Sequence, residues 1–304
     1  SLSGILFTLY LAGALNHLRA VTSNVRPNPP ILDNFLPVEW EYADDVDFID
    51  ENPNNLTALL PVCKEVLYEW NLHVNESKTE FVHVYLANKD EIDHKGEPVK
   101  DRESWRSNVS LGSKMCCKED IERRCTLANA AFRKYRAVWE QGPRISLAAR
   151  LKVYEAQVVS VLLYNCNSWA VPKHTLNTIN VCHRKHLRSI LQIRYPHCIS
   201  NATLYKRCGT TPLSERVARA RWKMFGHILR SQNNAPAYMA LKFAINSMRV
   251  LRGRRGRHQS NLISVLKSDL RARGYDLIGD FDDIVELSND RVRWRKLGVT
   301  HQGP

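Results

Sequence analysis

The sequence has 304 residues, of which 44% are hydrophobic and 25% charged, and it carries a net charge of +13. This composition fits a globular protein with one large core or two smaller ones, and it excludes a mainly disordered, collagen-like or disulfide-scaffold chain. The basic excess points to an anionic partner.

The charge is unevenly shared. Residues 1–110 hold 9 Lys+Arg and 18 Asp+Glu, a net of −9, while residues 111–304 hold the balance and net +22. An acidic front and a basic back imply two regions with different tasks. Eight cysteines are scattered with no Cys-x-x-Cys pair, so reduced thiols in an intracellular protein are expected. The opening segment, Ser1 to Leu15, is apolar from its first residues and lacks a basic lead-in. It is shorter than the roughly 20 apolar residues that cross a bilayer. It reads as the middle of a domain, so a truncated chain without a membrane partner is expected.

In chain order, residues 5–19 read as a helix and the proline-rich stretch 22–37 as a loop. Trp40 to Ile49 is strand-like around a turn. A helix capped by Asn55 or Thr57 should run to about Asn71. Phe81 to Leu86 alternates as a strand does, Asn88 to Arg106 is charged and hairpin-like, and Val109 to Leu111 forms a short strand closed by Gly112. The period then changes. Ile121, Cys125, Ala128, Phe132, Tyr135 and Trp139 are spaced as one sustained amphipathic helix, with Arg123, Arg124, Arg133, Lys134 and Arg136 on its wet side. Ser146 should cap a second helix with the stripe Leu147, Leu151, Tyr154, Val158, Val161 and Leu162. Further helices are expected at about 175–193, 213–231, 260–273 and 288–297. No internal repeat stands out.

Asp44 and Asp45 are adjacent carboxylates between apolar strand residues. Two such acids raise each other's pKa unless a cation neutralises them. Mg²⁺ favours carboxylate oxygens together with substrate phosphates, and a pair of such ions drives phosphoryl transfer. A bare Asp-Asp is common at surface turns; Tyr42-Ala43-Asp44-Asp45 on an apolar hairpin is far more specific.

These residues resemble the reverse transcriptases of non-LTR retrotransposons, most closely the RTE-like group. Ser1-Leu2-Ser3-Gly4-Ile5-Leu6-Phe7 is similar to the start of the family's palm helix, with Gly4 where Pro is usual. Tyr42 to Asp45 resembles the polymerase hairpin. Asn75-Glu76-Ser77-Lys78-Thr79 resembles an Asn-x-x-Lys-Thr block, Ser110 to Ser113 the primer grip, and Leu162-Leu163-Tyr164 with Trp169 a later block. Past the core, Arg219 to Arg230, Gly253 to His258 and Asp290 to Arg295 also match, so the likeness spans nearly the whole chain.

The resemblance implies an α+β fold: a partial antiparallel palm to about residue 113, a helical thumb at 114–170, and a basic helical region at 171–304. It implies RNA-directed DNA synthesis with Mg²⁺ on Asp44 and Asp45, an RNA template and a DNA primer or target DNA. Tyr42 would sit near the primer end, its alternative being ordinary strand packing. Lys78 would lie near the incoming triphosphate, or else be a solvated lysine between Glu76 and Glu80. In the family a further strand supplies another catalytic Asp, and no Asp before residue 41 matches it by pattern. The chain by itself is therefore expected to be inactive, and the rival reading is a non-catalytic nucleic-acid-binding remnant.

The thumb residues Arg123, Arg124, Arg133, Lys134 and Arg136 are candidates for template–primer contact, or for a solvated face paired with Glu122 and Glu140. Arg221 and Arg230 are further candidates, with Trp222 read as core. Arg252, Arg254, Arg255 and Arg257 form a Gly/Arg-rich loop suited to phosphate. Cys182, His183, His186, His197, Cys198, Cys208 and His227 suggest zinc, but adjacent helical positions diverge. Packed thiols and surface imidazoles are expected instead.

Overall fold

The computed structural model describes residues 2–22, 39–50, 52–82, 108–140, 144–250 and 261–299. They are mainly helical, with two small antiparallel two-stranded sheets. The expected α+β balance is thus shifted strongly toward helix. Phe81 and Val82 lie outside regular structure, and the rest of that expected strand falls outside the described residues, as do 88–106 and most of 22–37. The chain divides into two compact units: residues 1–83 with 233–243, and residues 84–232 with 244–304.

In the first unit, helix α1 (Leu2–Thr22) and helix α2 (Pro53–Glu69) pack together with a hairpin of β1 (Glu39–Tyr42) and β2 (Asp45–Phe48). Leu11, Leu15 and Leu18 on α1 recur at steps of four and three, and so do Leu59, Cys63 and Val66 on α2. These six form the core, with Val46 and Phe48 packed against it. The cap of α2 is Asn52, whose side chain accepts from the Asn54 amide at 3.0 Å; it stands nearer than the expected Asn55 or Thr57 because Pro53 already suits the first helical position. Helix α1 continues beyond Leu15, and residues 3–22 are long and apolar enough to cross a membrane by length and composition. Its second half nonetheless carries core residues of a packed unit.

In the second unit, β3 (Val109–Ser110) and β4 (Ser113–Lys114) form a hairpin ahead of α3 (Cys117–Lys134), α4 (Arg136–Glu140) and α5 (Leu147–Tyr154). The single helix expected through Trp139 breaks at Tyr135. There the Trp139 indole N–H takes the Phe132 carbonyl at 2.8 Å and the two rings stack. Ser146 caps α5 as expected, accepting from the Ala149 amide at 3.2 Å. A π turn, Glu155–Val159, follows α5 and leads into a last turn, Ser160–Leu162.

Helices α6 (Lys173–Ile190), α7 (Asn201–Cys208), α8 (Leu213–Leu229), α9 (Pro236–Val250), α10 (Leu262–Arg271), α11 (Phe281–Asn289) and α12 (Arg291–Val299) complete the chain, α9 straddling the division between the units. One core runs from Ile121 on α3 to Val217 on α8, so it passes through position 170.

Candidate functional site

The Tyr42-Ala43-Asp44-Asp45 stretch forms the closed end of the first hairpin. Tyr42 pairs with Asp45, Glu41 with Val46, Trp40 with Asp47 and Glu39 with Phe48. Ala43 turns the chain with a φ of 55°. Because strand side chains alternate, one face shows Trp40, Tyr42, Asp45 and Asp47, and the other Glu39, Glu41, Val46 and Phe48. Val46 and Phe48 seat the second face on the helical core. On that face Arg19 of α1 donates to Glu39 at 2.9 and 3.2 Å and to Glu41, which holds the hairpin down with a charged fork.

The other face, with Asp44 and Asp45, is exposed. Partial desolvation and the Asp45 charge raise the Asp47 carboxyl above its ordinary value. These exposed oxygens suit a hard cation by chemistry. They fall short in number: among the described residues, no group of three or more His, Cys, Asp or Glu side chains could hold a metal ion.

Lys78 ends a 3₁₀ turn, Glu76–Lys78, and is exposed. The Asn75 carbonyl accepts from the amides of Lys78 and Thr79 and from the Thr79 hydroxyl, all at 3.0–3.1 Å. The Asn-x-x-Lys-Thr spacing thus builds its own turn, while Glu76 takes an ion pair from Lys64.

Three other sequence blocks come together in the second unit. The tip of the β3–β4 hairpin is Leu111-Gly112, both at positive φ (47° and 75°). Such a two-residue turn matches strand twist, but Leu111 adopts at a steric cost what glycine adopts freely. The Leu111 carbonyl accepts from the Tyr164 hydroxyl at 3.0 Å, and the Gly112 carbonyl from Arg123 at 2.7 Å and from Arg124.

Arg124 does not lie on the wet face. It is 6% exposed, over the Tyr164 ring and beside Asp120. It stands three residues after Ile121 and four before Ala128, so it falls on the buried stripe. Asp120 in turn accepts from the Lys114 amide at 3.0 Å and the Trp169 indole at 2.9 Å. Arg133, Lys134 and Arg136 are exposed, and Arg136 pairs with Glu140.

Arg221 is also buried, at 4% exposure, and forks onto one Asp269 oxygen at 2.7 and 3.1 Å. Beside it Trp222 and Trp294 stack at 4.2 Å, each indole N–H donating to the other's carbonyl, at 2.8 and 3.1 Å. A Cβ at Gly226 would overlap the Trp294 ring, and one at Gly298 the Trp222 ring. The pattern Arg-Trp-x-x-x-Gly therefore occurs twice, at 221–226 and 293–298, and its two copies clasp each other. Hydropathy periodicity misses this repeat; the matched Trp–Gly spacing would reveal it. Arg230 is half-buried and donates to the Ser288 carbonyl at 2.8 Å. Arg252, Arg254, Arg255 and Arg257 lie outside the described residues.

His183 and His186 are core residues, 1% and 3% exposed, rather than surface imidazoles. The hydrogen-bond network assigns their protons. His186 Nε2–H donates to Asn129 Oδ1 at 2.8 Å, so Tyr154 donates to His186 Nδ1 at 3.3 Å and accepts from His183 Nδ1–H at 2.9 Å. His183 Nε2 is left with a bare lone pair beside a cavity of about 130 Å³, where a water O–H would satisfy it. Burial lowers His183 to about 3 and His186 to about 4 from an ordinary 6.5. All eight cysteines are free thiols. Comparison with protein-family models, curated proteins and solved structures finds no match.

Proposed function

We propose that this chain is part of an RNA-directed DNA polymerase of the non-LTR retrotransposon type. In this reading Asp44 and Asp45 contribute to the Mg²⁺ site of nucleotidyl transfer, with Tyr42 and Lys78 near the primer end and the nucleotide. The first hairpin, α1 and α2 correspond to palm, α3 to α5 to thumb, and the later helices to a basic region that grips RNA template and DNA primer or target DNA. The observation that carries the reading is the placement of the carboxylates. They stand exposed at the end of a tight hairpin whose opposite face is fixed to a helical core and to Arg19.

Titration with Mn²⁺, a paramagnetic stand-in for Mg²⁺, tests it. Selective broadening of the amide signals around Ala43 to Val46, lost in Asp44→Asn/Asp45→Asn, is expected. Uniform broadening along the chain, or none, would overturn the cation assignment.

A second reading, a non-catalytic nucleic-acid-binding remnant, is favoured by one observation: no third ligand joins the pair among the described residues. Primer extension on a primed RNA tests the remnant: product abolished by Asp44→Ala would overturn it and establish the polymerase, whereas absence of product is expected of both readings, because the chain by itself lacks the further catalytic Asp.

A further inference from the structure

We propose that Arg230, Arg291 and Arg295 form a phosphodiester-binding corner where the end of α8 meets the start of α12, taking successive phosphates of a nucleic-acid strand. The inference rests on the nucleic-acid reading above and adds to it a site, two further residues and a ligand group.

The corner is built before any ligand arrives. Arg230 caps the C-terminus of α8, and one of its N–H groups is committed to the Ser288 carbonyl at 2.8 Å. Ser288 is fully buried, so that carbonyl is a fixed anchor, and the remaining guanidinium donors are left for an anion. Two residues further on, Asp290 fastens the first turn of α12 by accepting from the amides of Val292 at 2.9 Å and Arg293 at 3.0 Å. Its Oδ1 is thereby occupied with backbone. Arg291 and Arg295 are four residues apart, which places them on one side of α12, and both are exposed. Trp294, between them, is buried in the reciprocal stack with Trp222. The stack fixes α12 against α8, so the two exposed arginines hold a set position relative to Arg230.

The electrostatics agree with that placement. Partial burial, then the charges of Arg291 and Arg295, hold the Arg230 guanidinium below its ordinary value. Three cations meet with no carboxylate among the groups acting on Arg230, and none of the three makes an ion pair among the described residues. Like charges four apart on a helix destabilise it slightly. A phosphate removes that penalty, and arginine can take its oxygens two at a time.

The test uses the full 304-residue chain and its Arg291→Gln/Arg295→Gln variant. Each is titrated with a labelled single-stranded RNA and with a DNA duplex over a range of salt. Removing two phosphate contacts should reduce the slope of log K against log[salt] by about 1.4 for the single strand and about 1.8 for the duplex. Arg291→Lys/Arg295→Lys should restore most of the slope, and Arg194→Gln/Arg207→Gln, on exposed positions elsewhere, should leave the corner's share intact. An unchanged slope in Arg291→Gln/Arg295→Gln, with wild type still binding, overturns the corner and leaves the nucleic-acid reading standing. No binding by wild type at low salt overturns both. Loss of binding to phosphatidylserine vesicles with RNA affinity unchanged overturns it too, by assigning the corner to a lipid headgroup.

Discussion

The hairpin of the first unit and the β3–β4 hairpin of the second are alike in form and opposite in use. Each is an antiparallel pair closed by two residues, and each carries a non-glycine residue at positive φ, Ala43 in one and Leu111 in the other. The first turns its acidic end to solvent and is held from behind by apolar residues and Arg19. The second is gripped at its tip: Arg123, Arg124 and Tyr164 take its two turn carbonyls. Charge at a turn can therefore be left facing solvent, or be spent in holding the chain in place. The sign of the charge does not decide which; the neighbouring stripe of the helix does.

The comparison is best broken at its buried end. Arg124→Ala should destabilise the second unit by about 3–5 kcal/mol, because Asp120 then stays buried without its cation. Chemical denaturation would measure it, and a cost no larger than a surface substitution would place Arg124 with the outward arginines.

Acidification comes next. Between about pH 7 and about pH 5 the unfolded chain protonates His183 and His186 while the folded core, at about 3 and about 4, does not. Stability is therefore fully present above about 6.5 and falls as pH drops toward 4, by about 1.4 kcal/mol per pH unit for each histidine at most. Thermal melts across that window should show the fall, and His183→Gln with His186→Gln should flatten it.

Gly226→Ala should cost about 1–3 kcal/mol by forcing the Trp294 ring away, read as a lower melting temperature with loss of the near-ultraviolet tryptophan signal. The smallest effect belongs to the exposed hairpin. Asp44→Asn/Asp45→Asn should change stability by about 0.5 kcal/mol or less, while abolishing local Mn²⁺ broadening. A large loss of stability there would make the pair structural.

Much of this was legible in the residues. The steps of four and three along α3 are a direct imprint of helical packing, and the turn at Tyr42 to Asp45 follows from adjacent carboxylates between apolar strand residues, whereas on α1 the packed residues are Leu11, Leu15 and Leu18 and the equally apolar Leu6, Leu9 and Tyr10 before them are exposed. Arg124 and Arg221 were not legible as buried, because a charged side chain on a core stripe needs a partner distant in sequence, Asp120 being near but Gly112 and Asp269 not. Helix α7 is short and polar, and its start depends on the Ser200 cap, which accepts from the Thr203 amide at 3.1 Å. The expected helix at 288–297 corresponds to α12 and takes in only the last two residues of α11, which was not expected; Asp290 separates the two by turning its side chain onto backbone amides. The +22 of the back half also overstates its outward charge, because Arg124, Arg221 and Arg273 are spent on carbonyls and carboxylates inside the fold.

The π turn at Glu155–Val159 gives the second unit something like a reading frame. A π turn holds one residue more than an α turn, and a single residue rotates a helix by about 100°. Val158 and Val159, neighbours in sequence, are both buried, as a slip of phase allows. Upstream of the slip stands Tyr154, joined to both histidines; downstream stand Tyr164 and Trp169, which meet the β3–β4 hairpin and Asp120. The two groups face their partners only because the extra residue is there. Substitutions within 155–159 can be absorbed one side chain at a time, but deletion of any one residue would put every downstream side chain out of phase, much as a lost letter shifts all the words that follow.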